Sequence, residues 1–209
     1  MATKKRVWFP GATYHIVCRG NHKEIIFKEE IDFVVYLRIL RNNFKFYEDE
    51  DYKLISYCLM DNHVHLLVKT EKQDPSFFMR RLNSMYAKYF NDKYEYIGHL
   101  FQARYFSNLI TNVGELLEVS RYIHLNPVRA NIAKIPEDYK WSSYNKILSN
   151  QNKELYIHDK EILDIFNMYL IIEDNRIERI RSRVKHSIEG NRFRYKNYVE
   201  EKIASEVNP

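Results

Sequence analysis

Two histidines separated by a single valine, His63 and His65, lie in the stretch "YCLMDNHVHLLVKT". In a β-strand, residues i and i+2 project to the same side. The two imidazoles therefore share one face, and Val64, Leu66 and Val68 share the other, the one turned toward covering helices. A pair of neutral imidazoles a few ångströms apart suits a divalent metal, and the same pair would repel if both were protonated. The plainer alternative is that each is a satisfied polar residue of an ordinary strand. A second group lies in "SRYIHLNPVRANIA", where Tyr122 and Asn126 are spaced i, i+4 and share one helix face, with His124 pointing elsewhere. A tyrosine can attack phosphorus and form a phosphotyrosine ester that stores the energy of a phosphodiester. A divalent metal would polarise the phosphate and align it for in-line attack. With 17 tyrosines in the chain, the alternative for Tyr122 is a half-buried packing residue.

Other chemistries lack their residues. There is no HExxH, no paired CxxC and no third alternating histidine on the strand. With only five glycines there is no phosphate-cradling loop, which argues against use of ATP.

The elements that must hold these groups can be read from periodicity. "ATYHIVCRG" alternates and is β-branched, a strand stopped by Gly20 and Asn21. "EEIDFVVYLRILRNNFKFY" has apolar residues at helical spacing. "KLISYCLM" and "HVHLLVKT" are antiparallel strands joined by the two-residue turn Asp61–Asn62. "DPSFFMRRLNSMYAKYFNDKY" is a second long helix, with Pro75 expected in its first turn. "ARYFSNLIT" is a fourth strand. "NVGELLEVSRYIHLN" is a third helix, with Asn112 as N-cap, Glu115 three residues on, and Pro127 expected to end or bend it. The order β-α-β-β-α-β-α predicts an α+β fold: a ferredoxin-like or RRM-like antiparallel sheet covered by helices. Residues 1–148 are expected to form this domain. Residues 149–209 read as a helical, basic C-terminal appendage.

Charge and cysteine usage add partners and compartment. The net charge is +5, and the basic groups gather at both ends: Lys4, Lys5, Arg6, Arg19 and Lys23 with no acidic residue in 1–23, and nine basic against four acidic groups in 176–202. Such ends suit a polyanion, because each phosphate contact releases counterions. The run "RIERIRSRVKHSIEGNRFRYKNY" interleaves basic and aromatic residues, which suits either a nucleic-acid-recognition arm or a solvated helix. Cys18 and Cys58 sit in apolar contexts and read as reduced core residues. "MATKKRVWFPG" lacks the apolar segment of a signal peptide, and "ILDIFNMYLII" is too short to span a bilayer. The expectation is a cytoplasmic protein, nucleoid-associated when bound to DNA, with no membrane partner.

"NHVHLL" followed by "YIHLNPVRA", with "YHIVCRGN" before and "GHLFQARYFS" between them, resembles the single-tyrosine HUH transposases of the IS200-like family, most closely the REP-associated tyrosine transposase branch. The likeness spans about residues 7–147. It implies that His63 and His65 bind Mg²⁺ or Mn²⁺, that Tyr122 is the nucleophile, and that Asn126 stands where a polar third ligand lies. It implies a substrate of single-stranded DNA, with a REP-like hairpin nearby, cut and rejoined through a 5′-phosphotyrosine intermediate, by a monomer or a homodimer. Arg104, Arg121 and Arg129 are candidate phosphate contacts, since guanidinium forks suit phosphate oxygens. Arg19, Asn21 and Lys23 lie in a loop that the resemblance puts near DNA. Gln102 is a candidate supporting polar group. Where the family commonly has a Gly-containing turn after Asn-Pro, this chain has Asn131, which also tolerates left-handed φ. Two other readings stay open: a catalytically quiet nucleic-acid-binding protein on the same scaffold, and a metal phosphoesterase that uses water.

Overall fold

The computed structural model describes residues 7–149, 157–158, 161–164 and 188–207. Four strands, β1 (Ala12–Arg19), β2 (Tyr52–Met60), β3 (His63–Thr70) and β4 (Phe106–Ile110), form one antiparallel sheet in the order β2-β3-β1-β4. Among the described residues the helices include α1 (Glu30–Phe46), α2 (Ser76–Tyr94), α3 (Val113–Arg129), a short α4 (Tyr144–Ser149) and a C-terminal α5 (Ile188–Val207). The α+β sheet-and-helix order expected from periodicity is the one observed.

The pleat of β1 assigns the two faces. Tyr14, Ile16 and Cys18 are buried on one side and pair with Val68, Leu66 and Val64 of β3, which are fully buried with them. This side carries α1 and α2: Asn83 of α2 lies against the Cys18 thiol, and Tyr86 donates to the carbonyl of Ile26 at 2.6 Å. His15, Val17 and Arg19 point to the other side, opposite Leu67, His65 and His63. That side carries α3, which packs on β2, β3 and β4.

Local chemistry explains where the elements start and stop. Asp32 accepts from the backbone N–H of Glu29 at 2.9 Å, one half of a capping box at the start of α1. Its carboxylate also accepts from Tyr89, Lys93 and Tyr94 of α2, so one buried side chain caps one helix and ties it to the next. Helix α2 begins at Ser76, and Pro75 stands just before it instead of in its first turn, because Asp74 Oδ1 takes the Ser76 N–H at 2.6 Å. Asn112 caps α3 as expected, accepting from the Glu115 N–H at 2.9 Å.

Two further boundaries differ from the reading by pattern. Helix α3 does not end at Asn126: Pro127 lies inside it, and the helix runs to Arg129 before Asn131 turns left-handed at φ 56°. Strand β4 is shorter than "ARYFSNLIT". Its first three residues belong to a loop that is fastened to the end of β1, with Asn21 N–H on Leu100 O at 2.8 Å and Gln102 N–H on Arg19 O at 3.0 Å.

Residues 176–187 of the basic, aromatic-interleaved run and 165–172 of the apolar run lie outside the described residues. The remainder of the basic run is in α5. Tyr195 and Val199 of this helix are fully buried and continuous with the core. Among the described residues no helix is long and apolar enough to cross a membrane.

Candidate active site

A cleft of about 600 Å³ opens on the α3 side of the sheet, at the end where β1 leaves and β3 begins. His15, Val17 and Arg19 from β1, His63 and His65 from β3, Phe106 from β4, the loop Gln102–Arg104, and Tyr122 from α3 line it. Each wall follows from the register. His63 and His65 lie opposite Arg19 and Val17, and Val17 lies opposite Phe106, so three strands present side chains into one hollow. The corner is closed by backbone: Gly20 N–H donates to Asn62 O at 2.9 Å, and Ile26 N–H donates to Asp61 O at 2.8 Å. Gly20 is required there, because a Cβ would stand 2.2 Å from the Glu24 carbonyl oxygen and 2.8 Å from Ile26 Cγ2.

The two imidazoles project side by side into the cleft. The His63 and His65 rings lie 4.8 Å apart, edge to face. His63 Nδ1 is 2.6 Å from Asn62 Oδ1, which makes that nitrogen the donor and leaves the lone pair on Nε2. His65 is 4 % exposed, and its Nε2 is buried with no hydrogen-bond partner among the described residues. A buried, orphaned nitrogen lone pair is what a metal-binding imidazole looks like before the ion is added. Burial, with Arg19 nearby, pushes His63 down to about 4, and burial, with His63, His15 and Arg19, pushes His65 down to about 2. Both rings are therefore neutral at physiological pH, the state a metal needs.

Tyr122 stands over these rings. Its centroid is 5.6 Å from that of His65 and 6.0 Å from that of His15, both edge to face. At 39 % exposed it is open to an incoming strand. The Arg129 guanidinium lies 5.0 Å from the Tyr122 ring centre, a cation–π contact one helix end away from the cleft. Asn126 is largely buried and is not among the residues that line the cleft; its Nδ2 donates to the Tyr122 carbonyl at 2.8 Å, which leaves Oδ1 as the remaining acceptor. No cluster of three or more His, Cys, Asp or Glu side chains among the described residues is arranged to hold a metal.

The expected residues thus divide. His63, His65, Tyr122, Arg19 and Arg104 meet in the cleft, with Arg129 against the tyrosine. Asn21 and Lys23 lie in the 3₁₀ turn Asn21–Lys23 beyond the rim. Arg121 is turned away: it is paired with Glu118, lies 4.3 Å from the Tyr198 ring of α5, and its side chain is 11 % exposed. Sequence reasoning did not single out His15 or Phe106. His15 is a lone histidine in a strand, and only the pairing of β1 with β3 brings it to His65. Phe106 is 65 % exposed on an edge strand, which periodicity does not distinguish from a core phenylalanine.

Comparison with known proteins agrees with this geometry. Residues 9–126 match the family described as "Transposase IS200 like". A REP-associated tyrosine transposase of Haemophilus influenzae is 24% identical over 124 residues, covering 54% of this chain and 68% of that protein. The solved structure of a REP-associated tyrosine transposase bound to a REP hairpin superposes with a TM-score of 0.55 at 18% identity, covering 76% of this chain and 90% of the other. The matched span begins just before β1 and closes on Asn126, so it contains every side chain that lines the cleft, and the chain belongs to the IS200-like transposase family.

Proposed function

We propose that this chain is a metal-dependent transesterase that cuts and rejoins single-stranded DNA beside a hairpin. The observation that carries the reading is the placement of an accessible Tyr122 above a buried imidazole, His65, whose Nε2 has no partner among the described residues. His63, His65 and the Asn126 amide would hold Mg²⁺ or Mn²⁺. When bound, the cation neutralises charge on the scissile phosphate and polarises it toward attack.

The chain's own residues do the rest. Tyr122 Oη attacks phosphorus, the bond to the 3′ oxygen breaks, and that oxygen leaves as a 3′-OH. The DNA 5′ phosphate is then esterified to Tyr122. A second 3′-OH reverses the step and restores the tyrosine, with one phosphodiester made for each one broken. Arg19 and Arg104 line the cleft and face phosphate oxygens in this reading. The hairpin partner is the ligand named for the solved relative, and the net charge of +5 on this chain suits the same class.

A labelled, hairpin-bearing single strand incubated with protein and Mn²⁺ tests this on a denaturing gel. Wild type should leave a covalent adduct, and Tyr122→Phe or EDTA should abolish it. An adduct that survives Tyr122→Phe refutes the nucleophile. A diffusible cleavage product with no adduct favours water as nucleophile. Retention of DNA without cleavage favours a binding-only protein.

A further inference from the structure

His15 sits two residues before Val17 on the central strand, diagonal to His65 across the β1–β3 ladder. Its Nε2 is 2.9 Å from His65 Nδ1, and the two rings are nearly parallel, 5.1 Å apart with 18° between planes. A neutral imidazole has one N–H and one lone pair, so only two arrangements of this bond exist. If His15 donated, His65 would carry its proton on Nε2, a buried N–H with no acceptor among the described residues. If His65 donates from Nδ1, its Nε2 keeps the lone pair and no buried donor is left unsatisfied. The second arrangement avoids leaving a buried donor unmet.

We propose that His15 is a positioning residue for the metal site: its Nε2 accepts the Nδ1–H of His65, and so fixes the tautomer and ring plane that present His65 Nε2 to the cation. His15 is not itself a ligand, because its Nε2 lone pair is spent on His65 and its Nδ1 then carries the proton. Its ring edge also meets Tyr122, so one side chain sets the spacing between nucleophile and metal ligand. Metal-binding histidines are commonly held this way through their second nitrogen by a carboxylate, carbonyl or water; here the acceptor is another imidazole.

The proposal rests on the metal reading above, and the tests separate the two. Long-range ¹H–¹⁵N spectra of the metal-free, full-length protein should show His65 as the Nδ1–H tautomer. An Nε2–H tautomer overturns the proposal whatever the metal does. Mn²⁺ titration followed by EPR of the free ion should give a dissociation constant about 10- to 100-fold weaker for His15→Ala than for wild type. His15→Gln, whose Oε1 can accept the same proton, should recover most of the loss. Equal binding by His15→Ala, or equal weakening by Ala and Gln with unchanged thermal melts, overturns it. If wild type binds no Mn²⁺, or His65→Ala binds it as well as wild type, the metal reading itself fails and takes this one with it.

Discussion

The hydroxyl of Tyr195 lies 3.0 Å from Nδ1 of His124, on the far side of α3 from the cleft and two residues along the helix from Tyr122. The contact is one link of a buried chain. Ser120 Oγ is 2.6 Å from the Tyr195 hydroxyl, His124 Nε2 is 3.0 Å from Ser143 Oγ, and Ser143 Oγ is 3.2 Å from the Tyr57 carbonyl. One donor order satisfies every link: Ser120 to Tyr195, Tyr195 to His124, His124 to Ser143, Ser143 to Tyr57. The tyrosine helix is therefore wired to strand β2 on one side and to helix α5 on the other.

Tyr195→Phe should cost about 1–3 kcal/mol in urea denaturation, because it strips a hydrogen bond from His124 and another from Ser120 in a fully buried place. The aromatic packing is retained, so a loss well below that range would mean that α5 is held by apolar contact alone.

The acid limb of stability should carry the mark of Asp32. Burial pushes its carboxyl up, but bonds from Lys93, Tyr94, the Glu29 backbone and Tyr89 outweigh burial and bring it down to about 2. Its folded value is below the value of about 3.9 expected in the unfolded chain. The stabilisation is therefore complete above that unfolded value and is lost as pH falls toward about 2, by roughly 2–3 kcal/mol. Asp32→Asn should flatten that limb. It should also cost about 3 kcal/mol at neutral pH, since Lys93 and two tyrosine hydroxyls lose a shared acceptor.

Gly20→Ala should destabilise by about 2 kcal/mol or more, because the added methyl cannot fit beside the Glu24 carbonyl without moving the Gly20–Asn62 corner. The same variant should depress adduct formation beyond what its stability loss explains, measured well below its melting temperature. That corner sets Arg19 against His63.

The arginines should split by location. Arg104→Ala should weaken single-stranded DNA binding and reduce the slope of log affinity against log salt by roughly one phosphate contact, or about 0.7. Arg121→Ala should leave that slope unchanged, because its guanidinium is committed to Glu118 and Tyr198, and should lower the melting temperature instead. Fluorescence anisotropy across a salt series distinguishes the two.

The elements that carry chemistry were legible where one short pattern contained the whole argument. The HxH alternation in β3, the Asp61–Asn62 turn and the Asn112 cap each depend on neighbours within a few residues. The place of Tyr122 on the cleft side of α3 was legible from its helix face. His15 was not, since its meaning comes from a register with residues some fifty positions away. The direction of Arg121 was equally hidden: a helix face can be read from spacing, but not which neighbour covers it. That Pro127 does not end α3 was not legible: proline removes only the one bond its N–H would have made to the Ile123 carbonyl, and the turn after it is still closed by the Ala130 N–H on Asn126 O at 3.0 Å.

Strand β1 supplies His15 and Arg19, yet both of its partners come later in the chain, β3 at residues 63–70 and β4 at 106–110. During synthesis this first strand must wait, while the β2–β3 hairpin can pair locally as soon as it emerges. Its insertion between β3 and β4 needs the pairings of longest sequence separation in the sheet, the kind that is expected to form slowly. A nascent chain holding the histidine pair alone has no walls around it and no tyrosine above it. The capacity to break DNA thus arrives only when nearly all of the domain has been made.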